Sequence, residues 1–177
     1  MFDVELGHAV PFQGRVVALW WDARSVPERD NVEFRRELAG VPKGPGVYAV
    51  TGHHDAGASP GVLYIGKSDD LATRMPASAQ EQLSEEHADG QWLLCSDVWE
   101  LTVRWARVSE EVLEQVERLL ILSHSPIFNG QGVRRSEPRP EEYDLIVLNA
   151  GRKGPLCPIV AGAYQASWRN RTGSIVP

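Results

Sequence analysis

Two tyrosines, a lysine, an arginine, a glutamate and an asparagine are spaced through the middle of this chain so that several chemical tasks could meet in one place. Tyr48 ends Gly46-Val47-Tyr48, Tyr64 opens Tyr64-Ile65-Gly66-Lys67, Arg74 follows Lys67 by seven residues, and Asn129 follows Glu117 by twelve. Hydrolysis of a phosphodiester needs an activated water, neutralisation of the charge that builds on the phosphate oxygens, and help for the leaving oxygen. Glu117 is the one acid placed within this series. It is therefore the candidate ligand for a single Mg2+, with Mn2+ able to substitute and waters completing the shell. A phenol is a poor base at a free pKa of about 10, but a nearby cation favours its anion. Tyr48 is the first candidate base and Tyr64 the second. Arg74 can grip two phosphate oxygens with its planar fork, while Lys67 acts as a mobile point charge. Gly66 admits close approach to the backbone. Asn129 would orient Glu117 or the helix end by hydrogen bonding.

The elements that must position these residues are legible in outline. Val47 to Thr51 and Val62 to Gly66 are β-rich runs that pair as a hairpin across the loop Gly52 to Gly61. Ser68 or Asp69 can cap a short helix carrying Leu71, Arg74 and Met75, which Pro76 interrupts. Residues Glu85 to Gly90 read as a loop, and Glu100 to Val108 alternates with period two as a third strand. Ser109 is the expected N-cap of a helix whose stripe is Val112, Val116, Leu119, Leu120 and Ser123, with Glu110 and Glu111 suited to its first turn. Glu117 borders that apolar stripe. On the flanks, Gly14 to Trp21 and Tyr143 to Leu148 read as strands, Arg29 to Leu38 as a charged helix or loop, and Asn149 to Pro155 as a basic turn. The order argues a small α/β (α+β) domain with a central mixed or antiparallel sheet flanked by helices. It divides into an N-terminal extension (1–44), a core (45–130) and a C-terminal extension packed on it (131–177).

At 177 residues one domain is the default, and no apolar run reaches the ~20 residues that cross a bilayer, so no membrane partner is expected. The first residues lack a basic segment followed by an apolar stretch, which implies a cytoplasmic protein. Cys95 and Cys157 belong to no Cys-x-x-Cys pair and read as buried thiols. A net charge of −6 opposes nucleic-acid binding over the whole surface. Residues 1–129 carry 11 basic and 20 acidic side chains (−9), whereas residues 130–177 carry 7 and 4 (+3). Contacts to nucleic acid are accordingly expected from the basic tail, at Arg134, Arg135, Arg139, Arg152 and Lys153. The six tryptophans are read as core or interface residues before base-stacking ones.

The two triplets, the run from Val62 to Arg74, and the acidic helix ending in Pro126-Ile127-Phe128-Asn129 resemble the GIY-YIG nuclease superfamily, with Val47 in the place of an isoleucine. The resemblance covers roughly residues 45 to 130. It implies a metal-dependent endonuclease hydrolysing DNA, with one ion per active site, and with Tyr48 activating water while Tyr64 supports it or holds the phosphate. The absence of a zinc finger or helix-turn-helix pattern suits a restriction-like or mobile-element type acting on double-stranded DNA, as a homodimer where both strands are cut. Some restriction-type members place a histidine near the arginine; here Ser78 holds that place and His87 is the next histidine downstream. His53-His54-Asp55 sits on a glycine-rich loop and reads as solvated. Two alternatives stand beside this reading: a non-catalytic nucleic-acid-binding or interaction domain of the same fold, and a nuclease acting on RNA or modified DNA.

Overall fold

A computed structural model describes residues 14–25, 38–54, 59–75, 98–129 and 139–162. Its centre is a six-stranded mixed sheet in the order β3-β2-β4-β1-β5-β6. The strands are β1 (Arg15–Ser25), β2 (Gly46–His53), β3 (Gly61–Ser68), β4 (Trp99–Arg107), β5 (Leu145–Gly151) and β6 (Ile159–Ala161). The expected hairpin of β2 and β3 is antiparallel, with Tyr48 opposite Gly66, and β2 pairs on its other side with β4, Tyr48 opposite Trp105. β1 serves two partners along its length. Residues 15–21 run parallel to β5, and residues 22–25 run antiparallel to β4. Strands from both flanks thus complete one sheet with those of the 45–130 segment.

Side-chain alternation gives the sheet two faces. One receives α1 (Glu110–His124), whose buried Leu113, Val116, Leu119, Leu120 and Ile121 pack on Leu19, Trp21, Val47, Ala49, Ile65, Leu145 and Val147. Burying each of these aliphatic side chains contributes roughly 1.5–3 kcal/mol, so helix and sheet hold each other. Ser109 caps α1 in extended conformation without a side-chain hydrogen bond, and Glu110 and Glu111 occupy the first turn as expected. The opposite face is covered over β2, β3 and β4 by Leu38 and Val41, from a 3-10 turn (Leu38–Gly40) and its exit, and by Leu71 and Met75 from the helical segment 71–75. These enclose Tyr48, Val50, Val103 and Trp105.

Four details depart from the sequence reading. Asp70, not Ser68 or Asp69, anchors segment 71–75: its carboxylate accepts the Gly44 N–H (3.0 Å) and the Thr73 hydroxyl (2.8 Å). The strand expected from Tyr143 begins only at Leu145, because Pro140–Tyr143 forms a short helix, α2. The proline sits at its start, where a missing N–H does no harm. Asn149, Ala150 and Gly151 therefore belong to β5, and the basic turn starts at Arg152. Cys157 is exposed, while Cys95 lies outside the described residues. Arg29 to Glu37, Glu85 to Gly90, Trp92 and Trp168 also lie outside them. Trp21 and Trp105 are core residues, and Trp20 is 76% exposed.

Candidate active site

The site gathers around the outer edge of β3, the first strand of the sheet. Along that edge alternate residues turn their backbone groups away from β2, and each finds a partner. The Phe128 N–H donates to the Leu63 carbonyl (3.0 Å). At Ile65 the Asn129 side chain behaves like a short strand: its Oδ1 accepts the Ile65 N–H (2.9 Å) and its Nδ2 donates to the Ile65 carbonyl (2.8 Å). At Lys67 the backbone N–H donates to the carboxylate of Glu117. Asn129 and Glu117 thus hold adjacent outward positions of one strand. Asn129 was expected to orient Glu117 or the helix end; its two hydrogen bonds instead go to Ile65, and it acts on the strand against which Glu117 is set.

Glu117 is only 19% exposed in its side chain, with the Lys67 Nζ 3.4 Å from its Oε2. Burial pushes its carboxyl above the ordinary range, the Lys67 ammonium opposes that shift, and the charge of Glu114 adds to it. Glu114, one turn earlier on α1, lies 4.0 Å from the same Lys67 nitrogen, and its other oxygen meets Arg139 Nη1 at 3.1 Å. Glu114 was not singled out in the sequence, although its spacing of three from Glu117 puts the two on neighbouring positions of a helical face. Arg139, expected at nucleic acid, is engaged here with Glu114 through one nitrogen and is half-exposed.

The two tyrosines meet on the other face. Their ring centroids are 6.0 Å apart with planes tilted by 37°. Tyr48 is 3% exposed. Its ring leans over its cross-strand neighbour Gly66, where an added Cβ would lie 2.6 Å from the ring's Cζ and 2.7 Å from its hydroxyl oxygen. The space that glycine leaves is therefore filled by Tyr48, whereas a phosphate was expected to approach there. Tyr64 is half-buried, and its phenol is pushed well above the ordinary value. Burial is the main cause, followed by the charge of Tyr48 and a hydrogen bond to it, then the charge of Glu117; Arg74 acts in the opposite direction. A phenol held so firmly neutral donates hydrogen bonds and is a poor proton acceptor. The two phenols are thus hydrogen-bonded partners on this face.

Arg74 is exposed on segment 71–75, close enough to act on Tyr64. The segment is tied down by Asp70, whose carboxyl the Gly44 N–H and then the Thr73 hydroxyl hold below the usual range. Tyr48, Tyr64, Gly66, Lys67, Arg74, Glu117 and Asn129 thus belong to one neighbourhood. Arg134 and Arg135 lie outside the described residues, as do Ser78, His87 and Asp55. Arg152 is at the β5–β6 turn, 3.6 Å from Asp22, and the Lys153 ammonium donates to the Leu156 carbonyl at 2.8 Å. His53 stacks on Trp99 (centroids 5.4 Å apart) and faces Glu100 at 3.4 Å.

The donor set suits a hard divalent cation. Glu117 supplies a carboxylate, the hard oxygen ligand such an ion takes, and its cationic partner is the mobile Lys67 ammonium 3.4 Å away. Among the described residues no three His, Cys, Asp or Glu side chains form a metal-binding group, so water would supply most of such an ion's ligands.

No protein-family model matches the chain, and no curated protein matches it. Among solved structures it is similar to the GIY-YIG N-terminal endonuclease domain of UvrC from Thermotoga maritima, in an asparagine-to-alanine mutant and two tyrosine-to-phenylalanine mutants, each bound to its catalytic divalent cation. Identity is 22% to the asparagine and one tyrosine mutant and 23% to the other, and in each case 56% of this chain and 97% of that domain are covered at a TM-score of 0.38. At that score the likeness carries no functional argument, which falls to the side-chain geometry.

Proposed function

We propose that this chain is a metal-dependent endonuclease of the GIY-YIG type that hydrolyses phosphodiester bonds of DNA. The observation that carries the reading is Glu117 fixed at the β3 edge by the backbone N–H and ammonium of Lys67, with its charge felt by Tyr64, on which Tyr48 and Arg74 also act. In this reading Glu117 holds one Mg2+ or Mn2+, which supplies charge stabilisation at the phosphate oxygens. Tyr48, acting as its phenolate, accepts the proton of the attacking water, whose oxygen forms the new bond to phosphorus as the P–O ester bond breaks and the leaving oxygen takes a proton from solvent. Tyr64 keeps its proton and donates to Tyr48 or to the phosphate. Arg74, exposed on segment 71–75, grips two phosphate oxygens, and Lys67 adds further positive charge. Double-stranded substrate, a restriction-like role and a homodimer belong to the same proposal through the sequence resemblance.

One observation favours a second reading, a fold retained for binding without catalysis: Tyr48 is 3% exposed, and a base must reach water. Cleavage separates the two. Supercoiled and linear duplex DNA would be incubated with the natural protein and with Glu117→Gln, in Mg2+, Mn2+ or EDTA. Metal-dependent fragments that fall by at least about a hundredfold in the variant are expected, as for other groups that stabilise transition-state charge. Intact DNA in every condition, with binding unchanged by the substitution, would sink the nuclease reading in favour of the binding one.

A further inference from the structure

Lys67 is shared between two carboxylates, with its Nζ 3.4 Å from Glu117 and 4.0 Å from Glu114. Glu114 is itself held from the far side by Arg139 at 3.1 Å. Arg139 is set in turn by Glu142, a carboxylate 1% exposed that accepts the Arg139 N–H (2.7 Å) and pairs with Arg118 Nε on α1 (2.8 Å). The result is a row of alternating charges, Arg139, Glu114, Lys67, Glu117, running along α1 into the candidate site. Its outer pairs are exposed and its inner end is buried.

A divalent cation on Glu117 and the Lys67 ammonium repel each other at these distances, so Lys67 must give way when a metal binds. We infer that Glu114 is the positioning residue that receives Lys67 when a divalent cation occupies Glu117, which keeps the ammonium charge-paired and beside the phosphate position. The inference rests on the metal-dependent reading of the site. The required movement is short, because the Lys67 Nζ already lies between the two carboxylates, 3.4 Å from one and 4.0 Å from the other. Arg139 fixes the acceptor, so Glu114 does not have to be ordered at the moment of loading. Without Glu114, Lys67 either stays against the cation or loses its partner, and loading becomes less favourable.

Glu114 could also act on a cation directly, through its own negative charge. A double-mutant cycle read by Mn2+ titration calorimetry tells the two apart. In the natural background Glu114→Gln is expected to weaken Mn2+ binding roughly three- to fivefold, the range open to a largely exposed ion pair. Lys67→Met alone removes the competing ammonium and leaves binding as tight or tighter. In the Lys67→Met background the Glu114→Gln effect disappears. An equal loss in both backgrounds overturns the inference, because Glu114 would then act on the ion itself, and an unchanged dissociation constant for Glu114→Gln overturns it as well. Glu117→Gln, titrated in parallel, reports on the underlying reading: if the natural protein binds Mn2+ no better than this variant, metal dependence fails and the inference fails with it.

Discussion

At the scale of single residues, the contact between the Tyr48 ring and Gly66 is the most exacting in the candidate site, since an added Cβ on the glycine would lie 2.6 Å from the ring's Cζ. Residue type and spacing were enough to gather Tyr48, Tyr64, Lys67, Arg74 and Glu117, because each carries a charge or a phenol whose chemistry is independent of its neighbours. Gly66 and Asn129 were found for the wrong reasons, since their roles depend on what occupies the adjacent strand position. Register places Tyr48 opposite Gly66, so the glycine leaves room for a ring. Gly66→Ala would push the Tyr48 ring aside. We expect it to destabilise the fold by about 1–3 kcal/mol, as overpacking does, and to slow cleavage about a hundredfold by misplacing the base. Urea denaturation and initial cleavage rates check both. Gly61→Ala is the matched control, because nothing lies within 4 Å of its added Cβ.

At the scale of elements, β2, β3, β4 and α1 were legible because period two and period 3.6 report directly on which face meets the core. The start of β5 was misjudged, since Tyr143 is β-prone while Pro140 quietly begins a helical turn. The short β6 and the parallel β1–β5 pairing had no local signal at all. Neither did the finishing of the β3 edge, which depends on a side chain 64 positions away. An exposed strand edge invites pairing with another chain, and here Phe128, Asn129 and Glu117 occupy it. Asn129→Ala would leave the Ile65 N–H and carbonyl without their partners. The expected loss is roughly 2–4 kcal/mol, one to two for each stranded group, read as a lower urea midpoint. Little or no change would mean that water reaches this edge and the asparagine is dispensable to it.

At the scale of the whole molecule, His124, the last residue of α1, ties the helix to the connection between β5 and β6. Its Nε2 accepts the Cys157 N–H at 2.9 Å, and its Nδ1 lies 2.8 Å from the Leu120 carbonyl. Since the first partner can only donate and the second can only accept, the neutral tautomer with its proton on Nδ1 is required. Burial pushes the imidazole below its ordinary value, and Lys153 acts in the same direction against the Leu120 carbonyl. A depressed folded-state value means that the unfolded chain binds the proton more readily. The associated stability is therefore fully present above about 6.5, the ordinary histidine value, and is lost as pH falls below it. Urea midpoints measured from pH 7.5 to 5 should decline, and His124→Gln should flatten the decline; an identical slope in the variant would show that other groups cause it.

β1 is the strand on which this architecture closes, and its position sets an order of events when the chain is made. Residues 22–25 pair with β4, and Arg15 pairs with Leu145. β1 is made before β5 and must therefore wait for its last partner. At roughly 5–20 residues per second that interval is on the order of ten seconds, during which Val16, Val17, Leu19, Trp20 and Trp21 have no sheet to join. The β3–β2–β4 part of the sheet, by contrast, has all its strands once Arg107 has been made, and α1 follows it directly. The candidate site can thus assemble first on a half-sheet, while β1, made before the site's strands, is among the last to be fully paired.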